Sequence, residues 1–68
     1  MDLETMRKRK GLSQRALAEK AGLSRHTVFQ VENGIREPQG RTLHKLAAAL
    51  DTTVTDTYEA WRESRKGE

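Results

Sequence analysis

Few side chains in this sequence are equipped for covalent or metal chemistry. There is no cysteine, so thiol nucleophiles, disulfides and thiolate metal sites are all ruled out. The two histidines, His26 and His44, are far apart in the chain, and no third residue completes a metal-ligand spacing with them. No glycine-rich phosphate loop of the required spacing occurs. These patterns argue against an enzyme and imply no metal and no cofactor. What stands out instead is a recognition set. Arg25, His26, Phe29, Gln30 and Asn33 cluster within one short stretch. Its members offer hydrogen-bond donors, acceptors and one apolar ring.

The elements that must carry this set lie between Ser13 and Gly34. Gln14 to Ala21 reads as a first helix with Ser13 as its N-cap, and Ala16, Leu17, Ala18 and Ala21 supply its apolar positions. Gly22 stands where that helix must stop, because glycine takes a positive φ cheaply. Leu23 is apolar within the turn and is expected to point inward. Ser24 is the next N-cap. The helix after it carries Val28 and Val31 at i, i+3, and Asn33-Gly34 ends it. One narrow apolar seam leaves the opposite face free, and that face holds Arg25, His26, Phe29, Gln30 and Asn33.

Ser13-Gln14, Leu17-Ala18, Ala21-Gly22-Leu23-Ser24, Thr27-Val28 and Val31-Glu32-Asn33-Gly34 resemble, in order and spacing, the helix-turn-helix of Cro and phage-repressor-type (XRE-like) regulators. The resemblance continues through Arg36, Pro38, Thr42-Leu43, Lys45-Leu46-Ala47 and Ala49-Leu50, and so covers roughly residues 3–58. It implies an all-α, lambda-repressor-like bundle of four to five short helices, with helices 2 and 3 forming the helix-turn-helix. The implied function is sequence-specific binding of double-stranded DNA to regulate transcription, most often as a repressor acting as a homodimer on an inverted repeat. Two other readings fit the same residues. One is an antitoxin or restriction-modification controller with a protein partner. The other is a protein-interaction module that has lost DNA binding.

Carried over residue by residue, the resemblance makes Arg25 and His26 the first base readers. Arg25 matches guanine O6 and N7 bidentately, and His26 donates to the same edge. Gln30 would pair with adenine or a phosphate. Phe29 departs from the small or polar residue usual there; it either presses on a thymine methyl or packs on the domain. Gln14, Arg15, Ser24, Thr27, Asn33, Arg36 and Arg41 are the candidates for contact with the DNA backbone. Arg7 and Glu32 match a structural ion pair that fixes helix 1 against helix 3. Leu50, Val54, Tyr58 and Trp61 fall on the implied dimer interface, although for Tyr58 and Trp61 completing the core is the commoner outcome.

Around this centre the chain reads simply. Asp2 to Lys10 forms helix 1, with Asp2 and Glu4 near its positive end and the Arg7-Lys8-Arg9-Lys10 cluster in its last turn. Gly11 ends it, and Leu12 is expected in the core. Ile35 to Gly40 is a loop around Pro38. Arg41 to Leu50 is amphipathic, with Leu43, Leu46, Ala47 and Leu50 at i, i+3, i+4, i+7. Asp51 stands where the resembled family usually has a helix-ending glycine, and Thr52 and Thr57 occupy positions usually apolar. Thr53 with Asp56 makes an N-cap for a short helix 5.

Sixty-eight residues allow one small domain. Residues 1–60 are expected to form the DNA-binding domain, and 61–68 a charged, frayed tail. The net charge of +3 is unevenly spread: residues 1–50 carry +5 and residues 51–68 carry −2. The basic part coincides with the helix-turn-helix and suits a polyanionic partner. No membrane-length apolar run and no signal-peptide pattern occur, so a cytoplasmic, nucleoid-associated location is expected.

Overall fold

Five helices carry the fold of residues 1–65, the part that the computed structural model describes: α1 (Leu3–Arg9), α2 (Gln14–Ala21), α3 (Arg25–Glu32), α4 (Gly40–Ala49) and α5 (Val54–Ser64). Four of them start in the same way. The side chains of Asp2, Ser13, Ser24 and Thr53 accept from the backbone N–H three residues later, at 2.9–3.0 Å. Each cap satisfies one of the first-turn donors that no intrahelical carbonyl can reach. Gln39 makes no such bond at the start of α4.

The stops are equally local. Gly22 is left-handed at φ 71°, and its N–H closes back on the carbonyls of Ala18 and Glu19. Asp51 takes a left-handed φ of 58° after α4, a conformation that Asp tolerates better than most residues. Helix boundaries differ from the sequence expectation by a residue. Asp2 and Lys10 flank α1 as caps, and Gly40 is the first residue of α4 rather than the last of the loop.

α2 and α3 pack together as the helix-turn-helix. α4 lies against α2 and α5, while α5 also touches α1 and α3. The core takes Leu3 from α1, Leu17, Ala18 and Ala21 from α2, and Val28 and Val31 from α3. It is completed by Leu46, Ala49 and Leu50 from the α4 region and by Ala60 and Trp61 from α5. Met6, Leu12, Leu23 and Tyr58 pack around it, partly buried. Where Leu3, Leu17, Val28, Val31 and Leu46 meet Glu32 there is no room for a water molecule, the close packing expected of a protein interior. Thr57 fills an apolar slot with no exposure at all, because its hydroxyl donates back to the Thr53 carbonyl at 2.8 Å.

Two sequence expectations need correction here. The frayed tail does not begin at residue 61, since α5 continues to Ser64. Trp61 is buried, and the Ser64 hydroxyl accepts from the Leu3 N–H at 3.2 Å while donating to the Ala60 carbonyl. The terminal amino group of Met1 pairs with the Glu63 carboxylate, and the Arg65 guanidinium lies 5.0 Å from the Trp61 ring centroid. Of the expected tail, only residues 66–68 lie outside the described residues. Two of the four residues expected at a dimer interface lie in the core of the single chain. Leu50 and Trp61 are 1% and 2% exposed in the single chain, so their area is already spent in their own core. Val54 and Tyr58 remain half-buried.

Candidate nucleic-acid interface

α3 is two-sided. Val28 and Val31 are buried, while Arg25, His26, Phe29 and Asn33 are exposed and Gln30 is half-buried. The five residues expected to share a free face therefore do share one, and three of them are exposed in the helix's first turn and a half. Main-chain and capping bonds fix the presentation. Ser24 Oγ accepts from the Thr27 N–H, and the Ser24 and Thr27 hydroxyls share a hydrogen bond at 2.8 Å. At the other end Asn33 Nδ2 donates to the Phe29 carbonyl at 2.8 Å, so this amide also closes the last turn of its own helix. Ser24, Thr27 and Asn33 thus have structural work in addition to any contact with a ligand.

The base of the site is an ion pair between helices. Arg7 Nε donates to Glu32 Oε2 at 2.6 Å and Arg7 NH2 to Glu32 Oε1 at 3.3 Å, with side-chain exposures of 9% and 4%. Arg7 NH1 donates to the Leu12 carbonyl at 2.8 Å. The guanidinium fork is therefore bonded on three nitrogens, the condition under which a buried charge pair is tolerated. Gln14 Nε2 adds a further bond to Glu32 Oε1 at 3.2 Å. The end of α3 is tied by one carboxylate to both α1 and the start of α2. The Arg7–Glu32 contact was implied by the resemblance alone; the bond from Gln14 to the same carboxylate, likewise between residues distant in the chain, was not named.

Cations on the neighbouring elements are exposed: Arg15 and Lys20 on α2, Arg36 in the loop, Arg41 on α4. Arg15 sits 3.6 Å from Glu19 across a solvated pair, which salt and water weaken. Arg36 NH1 lies 3.5 Å from Gln30 Oε1, and so links the loop to the outer face of α3 at the limit of a hydrogen bond. At the head of α4, Gln39, Gly40 and Arg41 are exposed and no side chain caps the first turn. By contrast, the exposed carboxylates Asp56, Glu59 and Glu63 gather on α5.

Sequence reasoning missed two further surface features. Ile35, just past α3, is 65% exposed; nothing in a loop position marks an apolar residue as outward. Gly34 backs directly onto the end of α5, where a Cβ would stand 3.0 Å from the Ser64 carbonyl oxygen. No described helix is long and apolar enough to cross a membrane. A family model described as helix-turn-helix matches residues 3–56, most of the chain. No curated protein matches it.

Proposed function

Since the chain belongs to the Cro/C1-type helix-turn-helix family of DNA-binding regulators, we propose that it is a sequence-specific repressor of transcription. It binds an inverted-repeat operator as a homodimer, in the cytoplasm at the nucleoid. The observation that carries this reading is the two-sidedness of α3: a sealed apolar seam on one side, and Arg25, His26, Phe29 and Asn33 exposed on the other.

A major groove admits one helix, and residues early in that helix reach the base edges. Arg25 and His26, the first two residues of α3, are the base readers. Arg25 takes the two acceptors of guanine, and Gln30 reads one turn further on. Gln14, Arg15, Arg36 and Arg41 hold the phosphates, with Ser24, Thr27 and Asn33 closing the ends of the reading helix. One domain with this few base contacts binds weakly, and two-fold symmetry corrects that. The half-sites then lie about one helical turn apart. Val54 and Tyr58 on α5 supply the apolar part of the dimer contact.

Selection of bound duplexes from a random library at near-physiological salt tests the reading. Enrichment of an inverted repeat supports it, and the half-site spacing measures the dimer. Enrichment of a single short site keeps the readout and discards the dimer. No enrichment discards DNA recognition.

A further inference from the structure

Phe29 is the exposed one of three aromatic residues: Trp61 is buried and Tyr58 half-buried. It is 45% exposed, one of three large apolar residues at the surface among the described residues. It belongs neither to the core nor to the partly buried shell around it. It stands four residues after Arg25 and three after His26, so it lies directly over both on the same stripe of α3. Its own carbonyl is taken twice, by the N–H and the side-chain amide of Asn33, at 3.1 and 2.8 Å. The ring is therefore all that this position offers outward. No carboxylate is exposed on α3, whose only acidic residue, Glu32, is held by Arg7 and Gln14. An aromatic ring beside an arginine and a histidine, with no acid to repel phosphate, faces a polyanion better than it faces an apolar protein patch.

In a major groove the apolar feature available to such a ring is the C5-methyl group of a pyrimidine. Thymine carries it, and so does cytosine methylated at C5; uracil and unmodified cytosine present a C–H instead. Resting on the DNA-binding reading above, we propose that Phe29 reads a pyrimidine C5-methyl group next to the base pair addressed by Arg25. The regulator then responds to the methylation state of its site as well as to its hydrogen-bonding edges. Burying one methyl against the ring corresponds to about a fourfold gain in affinity.

The test uses the full chain and the duplex enriched by selection. Each thymine is replaced in turn by deoxyuridine and each cytosine by 5-methylcytosine, and affinity is measured by fluorescence anisotropy. The expected result is one thymine per half-site whose demethylation weakens binding about fourfold, or one cytosine whose methylation strengthens it by as much. Phe29→Ala removes that difference by weakening the methylated duplex only, while Ile35→Ala, also a loss of exposed apolar surface, preserves it. Phe29 is at the surface, so an unchanged melting curve is expected for the variant. A scan in which every replacement changes affinity less than twofold overturns the methyl readout and leaves DNA recognition standing. A methyl effect that survives in Phe29→Ala also overturns it. If selection enriches no duplex, the DNA-binding reading and this inference fail together.

Discussion

Arg7→Ala should be far more damaging than its position in a run of basic residues suggests. Arg7 and Lys8 are neighbours on α1, and each pairs with a glutamate, but in opposite surroundings. Lys8 meets Glu4 at 2.9 Å with side chains 65% and 52% exposed; such a pair contributes about 0.3–0.5 kcal/mol. Arg7 meets Glu32 at 2.6 Å with exposures of 9% and 4%. Removing it leaves a carboxylate beside Leu3, Leu17, Val28 and Val31 with only the neutral Gln14 amide to bond it, and also frees the Leu12 carbonyl. Breaking one side of such a pair costs about 3–5 kcal/mol. A chain of 68 residues has a total stability of roughly 3–10 kcal/mol, so this single loss removes much of the margin. The melting midpoint should fall by at least about 12 °C. Thermal and urea unfolding followed by circular dichroism, with Lys8→Ala alongside, measures the difference. Arg7→Lys should restore only part of it, since an ammonium cannot copy the fork that serves both Glu32 and Leu12. Wherever the variant is still folded, its choice of DNA site should match the parent's. An Arg7→Ala stability within about 1 kcal/mol of Lys8→Ala would refute the reasoning, because burial would then not govern the pair.

Other outcomes follow from the same geometry. Arg25→Ala should relax selectivity at one base pair by roughly 1–3 kcal/mol; a competition assay with unchanged base preference would remove it from the readers. Arg36→Ala should weaken all duplexes alike and lower the salt slope by about one, whereas an altered base preference would mean that the loop sits over the bases. Gly34→Ala should destabilise more than Gly22→Ala, as measured by urea unfolding. Both pay for a left-handed φ, about 1–2 kcal/mol, but only at residue 34 would the added carbon meet backbone, the Ser64 carbonyl oxygen at 3.0 Å. Equal losses would show that α5 gives way there. Thr53→Ala should cost about 1 kcal/mol through loss of its bond to the Asp56 N–H, and an unshifted unfolding midpoint would mean that α5 is held by its packing alone.

The helices were legible because their signals are local. Asp2, Ser13, Ser24 and Thr53 each bond three residues ahead, and Gly22 closes α2 within its own last turn. Both partners of such a bond lie within one segment, so residue order places them together once the helix forms. The same holds for the free face of α3, because helical spacing puts Val28 and Val31 on one side and Arg25, His26 and Phe29 on the other.

Tertiary structure decided what the carboxylates and the last helix do. Glu32 is bonded to Arg7 and Gln14, 25 and 18 residues away, and only the docking of three helices brings those atoms together. Arg62, Glu63, Ser64 and Arg65 read as a solvated tail because charged residues look alike at the surface of a docked helix and in a frayed one. Burial of Ala60 and Trp61 holds that turn in place, and Ser64 then reaches the Leu3 N–H at 3.2 Å. Leu50 and Trp61 likewise carry an apolar label that suits a core and an interface equally. Which of the two each becomes depends on the space left between α1, α4 and α5, a property of their packing that no single stretch of sequence contains.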